Sequence, residues 1–354
     1  MNLNELKTEL LCYGAKTDLE PDRKGGAGPA DAVFIEINGM EISIPTGGNY
    51  VKNSPYTLKK TNGKFMILGN NKELCLAEKT KEPEFYKKRT EDGIPYRKIF
   101  LAHGRNCIGT TVFQSCIYWN TPPGCKFCGT GLSLKTDNTI AIKTPAQIYT
   151  VAHSAIKEQY THAVLTSGSQ RQESTFFNHL SECIKVLKTL SLQVQVQVSP
   201  PENLFFLSLL KSAGTDTIAI NIESFDENVL RSVAPRKAEL GIKKYLETME
   251  YAVELFGKNQ VISFVLAGLG ENKENIIDGA EKLASIGVYP FIVPFRPISN
   301  TPLGDMNPPS SSYLKEINLK VAKILKKYNL TYREISAGCG RCTCCSSLPD
   351  YEDR

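Results

Sequence analysis

The sequence lacks any apolar run approaching the roughly 18–20 residues that cross a bilayer, so no helical membrane span is expected. It lacks a signal-peptide apolar block as well. Met1 to Glu20 reads instead as a polar, acidic helix, and the expectation is a cytoplasmic protein with no membrane association. No Lys/Arg run is long or clustered enough to track a phosphate backbone. The formal net charge of +5 therefore makes no case for nucleic acid, although it suits an anionic substrate or an acidic partner. No internal repeat and no low-complexity segment is present.

What is present is a chain of 354 residues, 41% hydrophobic and 22% charged, enough for one large domain with additions or for two domains. It holds eleven cysteines. In the cytosol disulfides are disfavoured, so metal binding or redox chemistry is the default for cysteines that cluster. Two groups stand out: Cys116, Cys125 and Cys128, and Cys339, Cys342, Cys344 and Cys345. Cys12, Cys75, Cys107 and Cys183 are single and read as small apolar residues.

Residues 1–98 read as a β-rich N-terminal region: a short helix, a Gly/Pro-rich turn at Gly25–Pro29, then apolar runs Ala32–Ile37, Met40–Ile44 and Lys64–Leu68. The charged stretch Lys79–Pro95 reads as a linker or lid. From residue 99 to 335 strands alternate with helices. The expected strands are Cys107–Phe113, His162–Thr166, Gln193–Val198, Thr217–Asn221, Val261–Ala267 and Val288–Pro294. The expected helices are Pro145–Gln159, Thr175–Leu190, Leu204–Ser212, Glu239–Phe256, Lys273–Ile286 and Ser311–Tyr328. This spacing implies parallel βαβ units with right-handed crossovers. The expected fold class is therefore α/β, a partial (β/α)6 barrel whose site lies at the C-terminal ends of the strands. Residues 336–354 form a separate Cys-rich tail.

The first cysteine group sits on the loop after the first barrel strand, where a site loop belongs. Cys125 and Cys128 are spaced to reach one metal centre, with Cys116 on the same loop. Three thiolates can hold three irons of a 4Fe–4S cluster and leave the fourth open. The alternative is structural zinc, which takes four closed ligands, whereas this loop offers three cysteines and no histidine. Three cysteines in this position, with the aromatic Phe127 before the last, resemble the radical S-adenosylmethionine (SAM) superfamily. The usual spacing there is C-x3-C-x2-C, and this chain has C-x8-C-x2-C. The resemblance implies that the open iron chelates the methionine end of SAM. One electron then cleaves SAM to methionine and a 5′-deoxyadenosyl radical that abstracts hydrogen from substrate, with Phe127 beside the adenine.

Later strands add weaker candidates. Thr166, Ser167 and Gly168 end the second strand and resemble the superfamily's small-residue segment facing the methionine amino group; a plain strand-to-helix loop is the other reading. Asn221 and Glu223 alternate with Ile220 and Ile222, so both polar groups share one face of a buried strand, costly unless they bind something. They resemble the Asn-x-acid pattern of biotin and lipoyl synthases that touches the SAM ribose. Arg296, in a Pro-rich segment similar to one in the same synthases, could pair with a carboxylate or with backbone carbonyls. Ser199 and Glu202 follow the third strand as further candidates.

The tail places four thiols within seven residues, with Arg341 among them. Cys339, Cys342 and Cys345 have C-x2-C-x2-C spacing and are the preferred ligands of a second, auxiliary 4Fe–4S cluster, with Cys344 the alternate and Ser346 a candidate fourth ligand. Zinc and an unligated redox tail are the competing readings. Most of residues 20–350 resemble the biotin-synthase-related radical SAM group. That group includes a component of the archaeal two-protein lipoyl synthase and proteins of nitrilase gene clusters. The resemblance implies sulfur insertion at an unactivated carbon of an octanoyl chain on a protein or peptide, with the auxiliary cluster as sulfur donor. It also implies an electron donor such as ferredoxin or flavodoxin and a second radical SAM partner enzyme. A radical SAM dehydrogenase, mutase or methylthiotransferase-like enzyme acting on a small molecule is the alternative; an electron carrier or zinc-stabilised scaffold is the non-enzyme alternative.

Overall fold

The structure, a computed structural model, describes residues 2–22, 31–61, 63–104 and 106–352. The expected turn at Gly25–Pro29 lies outside these residues.

Asn2 caps the first helix, α1 (Leu3–Tyr13): its side chain accepts the Glu5 N–H while Glu5 returns to the Asn2 N–H. Five antiparallel strands follow: β1 (Ala32–Ile37), β2 (Met40–Pro45), β3 (Tyr56–Thr61), β4 (Lys64–Gly69) and β5 (Lys72–Lys79), in the order β2-β1-β5-β4-β3. β1 and β2 form a hairpin through Asn38-Gly39, both at positive φ (49° and 84°), as a primed two-residue turn requires. Leu6, Leu10 and Leu11 of α1 pack on Val33, Ile35, Ile42 and Ile44 to make a small separate core.

The charged stretch after β5 is not a loose lid. Glu158 accepts the backbone N–H groups of Glu84 and Phe85, both at 2.8 Å, and Phe85 is fully buried against Tyr160 in the main core.

The barrel begins with β6 (Leu101–His103), antiparallel to β7 (Cys107–Thr111). The chain then alternates: α2 (Leu132–Lys135), α3 (Pro145–Ile156), β8 (His162–Thr166), α4 (Glu173–Lys188), β9 (Gln193–Gln197), α5 (Phe205–Ser212), β10 (Thr217–Ala219), α6 (Glu227–Val233), α7 (Pro235–Phe256), β11 (Val261–Ala267), α8 (Lys273–Ser285), β12 (Tyr289–Pro294) and α9 (Ser311–Lys327). β7 to β12 are all parallel, in sequential order, giving the curled six-strand half-barrel expected, with β6 added at one edge. Most of these strands, β9 apart, read as largely apolar runs because both faces are covered. Ala163, Leu165, Val194, Val196, Ile218, Ile262 and Phe291 are fully buried, each larger side chain contributing about 1.5–3 kcal/mol. Cys12, Cys107 and Cys183 are buried among them as small apolar residues. No helix among the described residues is long and apolar enough to cross a membrane.

The tail folds back inside this half-barrel. Its short helix α10 (Gly338–Cys342) lies against the N-terminal halves of β8 and β9. Three alternate side chains of β9 receive it: Gln193 accepts from the Arg341 guanidinium, Gln195 accepts the Cys339 N–H at 3.1 Å, and Gln197 donates to Cys339 Sγ at 3.3 Å. His162 Nδ1 accepts the Gly338 N–H at 3.0 Å. Beyond it, Asp350 pairs with the buried Lys7 of α1 at 2.8 Å, and the Cys344 carbonyl accepts the Ser43 N–H of β2 at 3.0 Å. The tail thus joins both sheets.

Burial pushes the His162 imidazole down to about 3, so it stays neutral and can accept the Gly338 N–H. With the folded pKa below the unfolded one, the unfolded state binds the extra proton; this stability is present above about pH 6.5 and is lost as pH falls toward 3. His162→Asn, which does not titrate, is expected to show a flatter fall in urea midpoint between about pH 7 and pH 5 than the wild type; equal slopes would remove His162 from the account.

Candidate active site

A cavity of about 820 Å³ opens at the C-terminal ends of the strands and extends down to the tail. Cys116, Cys125, Cys128, Phe127, Thr166, Ser167, Gly168, Ser199, Asn221, Glu223, Arg296, Cys339 and Cys345 all line it. Glu202 does not; its side chain is exposed, and its N–H is capped by the Glu173 carboxylate.

The cysteine loop is closed at its base by Gln114. Its side-chain amide donates to the Thr130 carbonyl at 2.8 Å, and the Thr130 hydroxyl donates back to the Gln114 carbonyl at 3.2 Å. Under this clamp the buried Lys143 ammonium donates to Thr139 Oγ1 (2.6 Å), the Ile140 carbonyl (2.8 Å) and Gln114 Oε1 (3.4 Å), and burial pushes it down to about 7. Trp119 ties the loop's middle to its end, its indole N–H donating to the Cys128 carbonyl at 3.0 Å. The β8 end holds the other side. Ser167 Oγ accepts the Phe113 N–H, and Gly168 leaves room for the loop: a Cβ there would stand 2.2 Å from the Ser115 carbonyl oxygen and 2.7 Å from Cys116 Cβ. Phe127 packs with Cys125 and Phe295 in a small apolar cluster.

β10 stops regular pairing at Ala219, two residues before the expected end. The backbone continues through side chains: Ser263 Oγ bridges the Ile220 carbonyl and the Ile222 N–H, and Asn221 Oδ1 accepts the Phe264 N–H. Glu223 takes φ +71°, a left-handed conformation costing a non-glycine residue about 1–2 kcal/mol. It is held by two backbone hydrogen bonds to β11 and by Lys237 Nζ, 3.0 Å from its carboxylate. Lys237 also donates to the Asn221 carbonyl. Burial presses the Lys237 ammonium down, but Glu223, with Tyr245 and Cys125 beyond it, holds it above its ordinary value. A buried cation thus stands next to the cysteine loop.

Burial pushes the Cys125 thiol up to about 12 and the Cys128 thiol up to about 11, against a partial pull from Lys237. Each of the two thiols feels the charge of the other or of Cys116. No group of three or more His, Cys, Asp or Glu side chains among the described residues stands in a metal-holding arrangement. The three loop thiols nonetheless share one cavity wall and the chemistry fits: soft sulfur donors, three in number, that metal charge would deprotonate on binding.

In the tail, Cys339 and Cys345 face the cavity, whereas Cys342 and Cys344 are turned from it. Cys342 Sγ donates to the His103 carbonyl at 3.2 Å and Cys344 Sγ to Glu41 Oε2 at 3.3 Å. Ser346 is committed elsewhere, donating to the Ile292 carbonyl at 2.5 Å and accepting the Leu348 N–H. Arg296 Nη2 donates to the Ser43 carbonyl at 2.7 Å, so of the two expected partner types the structure provides the backbone carbonyl; its Nη1 is buried without a partner among the described residues.

Sequence reasoning missed Lys237, Gln114 and the glutamines of β9. The last had a signal: Gln-Val-Gln-Val-Gln puts three amides on one face of a strand that must be buried. Lys237 had none, being one lysine among many on a helix.

Residues 122–283 match the family model described as the Radical SAM superfamily. The bacteriochlorophyllide c C-7(1)-hydroxylase of Chlorobaculum limnaeum is 23% identical over 91% of this chain and 84% of its own length. The lipoyl synthase of Sulfolobus acidocaldarius is 24% identical over 60% of this chain and 65% of its own. Among solved structures, the FeFe-hydrogenase maturase HydG superposes with a TM-score of 0.50 at 18% identity, covering 66% of this chain and 52% of that one. This chain therefore spans about half the length of HydG. Methylornithine synthase superposes with a TM-score of 0.50 at 15% identity, covering 75% and 78%. Residues 122–283 thus carry a radical SAM domain with lipoyl synthases among the chain's relatives; these likenesses support a radical SAM enzyme, and such a domain implies a 4Fe–4S cluster and SAM.

Gln114→Leu removes the loop clamp and leaves Thr130 O and Lys143 short of partners. It is expected to lower iron at the loop site several-fold after anaerobic reconstitution, at a cost of about 1–3 kcal/mol in stability. Full iron loading in this variant would show that the loop holds its shape without the clamp.

Proposed function

We propose that this enzyme inserts sulfur at an unactivated carbon, with an octanoyl chain on a lysine of a peptide or protein domain as substrate. A metal–sulfur centre in the tail is the sulfur source. One observation carries the reading: Cys339 and Cys345 open into the same cavity as Cys116, Cys125 and Cys128. Cys116, Cys125 and Cys128 would hold the loop cluster, which with SAM would supply hydrogen-abstracting radical chemistry. Cys339 and Cys345 would hold a sulfur-donating centre on the far side of a substrate lodged between loop and tail, so that hydrogen would be lost at one end of the cavity and sulfur met at the other. The chain's own residues position this chemistry. Asn221 and Glu223, fixed by Lys237, offer acceptors toward the ribose, and Phe127 offers an apolar face toward the adenine. The cavity lining is mostly apolar toward Val164, Val198, Leu266 and Phe295, as an acyl chain requires. The lipoyl synthase relatives support the same reading. A ferredoxin or flavodoxin would supply the electron and a second radical SAM enzyme could complete the product.

A second reading is favoured by the hydroxylase relative, whose match runs over 91% of the chain. There the same hydrogen abstraction would serve oxidation of a small molecule with the tail centre intact.

The test is anaerobic reconstitution with iron and isotopically heavy sulfide, in wild type and in Cys125→Ala and Cys342→Ala variants, followed by turnover on an octanoyl-lysine peptide. About eight irons in wild type and about four in each variant are expected, with deoxyadenosine lost in Cys125→Ala. Heavy sulfur in the peptide supports insertion. Deoxyadenosine formation without heavy sulfur in any product refutes it and leaves the oxidation reading.

A further inference from the structure

The half-barrel does not wall the main cavity alone. The N-terminal region contributes Asp31, Pro45, Gly47, Gly48 and Tyr50, which line it together with Pro297 beyond β12. Gly47 and Gly48 let two side chains lie directly on this segment. A Cβ on Gly47 would fall 3.0 Å from Asp31 Oδ2, and one on Gly48 would fall 2.9 Å from Tyr50 Cε1 and 3.2 Å from the Pro297 carbonyl oxygen. The Asp31 carbonyl accepts the Thr46 and Gly47 N–H groups at 2.8 and 3.2 Å, and Tyr50 stands on the 3-10 turn Asn49–Asn53. Backbone thus places both residues. Both are half-buried, and neither the Asp31 carboxyl nor the Tyr50 hydroxyl has a hydrogen-bond partner among the described residues.

Burial pushes the Asp31 carboxyl up, and no cation among the described residues offsets it. Burial also pushes the Tyr50 phenol up to about 12, against a pull from the Arg296 guanidinium, so the hydroxyl stays protonated and can donate. One unpaired acceptor and one unpaired donor therefore stand on neighbouring parts of a wall otherwise made of glycine and proline. A secondary amide presents the complement, an N–H that donates and a carbonyl oxygen that accepts. A carboxylate or a phosphate would meet Asp31 as a like charge, and an ester would leave it unpaired.

We propose that Asp31 and Tyr50 select the amide of the substrate, the Tyr50 hydroxyl donating to the amide carbonyl oxygen and the Asp31 carboxylate accepting the amide N–H. The proposal rests on the acyl-lysine reading above and adds to it the residues that recognise the acyl-lysine linkage. The acyl chain then runs from the N-terminal wall into the apolar part of the cavity, toward the loop and tail cysteines.

The experiment measures binding of a fluorescent octanoyl-lysine peptide, and of its ester counterpart with oxygen in place of the amide nitrogen. Protein is reconstituted anaerobically and held with SAM and no reductant, so that nothing turns over. Loop iron content and the urea midpoint serve as folding controls. Wild type should bind the amide about tenfold more tightly than the ester, as one hydrogen bond to a charged acceptor predicts. Asp31→Ala should weaken the amide about tenfold and the ester little, erasing the preference, whereas Asp31→Asn, which keeps an acceptor, should restore part of it. Tyr50→Phe should weaken both peptides several-fold. Equal binding of amide and ester by wild type overturns the proposal, as does wild-type preference in Asp31→Ala or wild-type affinity in Tyr50→Phe. If Asp31→Ala fails the folding controls, the amide-to-ester ratio of wild type decides by itself. Wild type that binds neither peptide overturns the acyl-lysine reading, and the proposal with it.

Discussion

Three amides inside a half-barrel set the rest of the arrangement. Gln193, Gln195 and Gln197 share one face of β9, Gln195 buried and the other two half-buried, and an unpaired buried amide costs about 1–3 kcal/mol. The tail answers them, with a guanidinium, a backbone N–H and a thiol in turn. Because that bonding fixes α10 against the lower strands, two of the last cysteines reach the cavity floor, while Cys342 reaches β6 and Cys344 reaches β2. The upper end of the cavity is fixed by the Gln114–Thr130 clamp. One cavity thereby receives thiols from the loop after β7 and from the C-terminal tail.

The cavity also holds charge at a depth where charge is expensive. Glu223 and Lys237 form a pair with about an eighth of each side chain exposed, supported by backbone contacts that overrule the unfavourable φ of Glu223. Breaking such a pair by removing one partner is costlier than never having it. Its position beside Cys125 gives it a use: a fixed cation near buried thiols favours their charged form, which is the form that binds metal.

The barrel was legible in the sequence because buried parallel strands and amphipathic helices write strong, distinct periods. All six parallel strands were placed, within one or two residues at most of their ends. β5 was not, since Lys and Glu at its exposed positions leave Ala77 as its one buried residue and erase the alternation. β6, three residues long, is below the length at which a period shows. The cysteine loop was legible because three clustered cysteines have few other uses. What could not be read was the direction of the tail: C-x2-C-x2-C spacing suggests one claw, but the left-handed Thr343 and the bonds to β2 split it. Long-range contacts of this kind, Glu41 with Cys344 or Lys237 with Glu223, leave no trace in local pattern.

The central claim is that loop and tail cysteines serve two separate centres on one cavity. Locating the metals by iron and zinc anomalous scattering, in crystals grown anaerobically from reconstituted protein with SAM, tests it most directly. The account predicts an iron cluster on Cys116, Cys125 and Cys128 and a distinct metal peak at the tail cysteines. A single metal bound jointly by loop and tail cysteines, closed on four sulfurs with no open position, would contradict it.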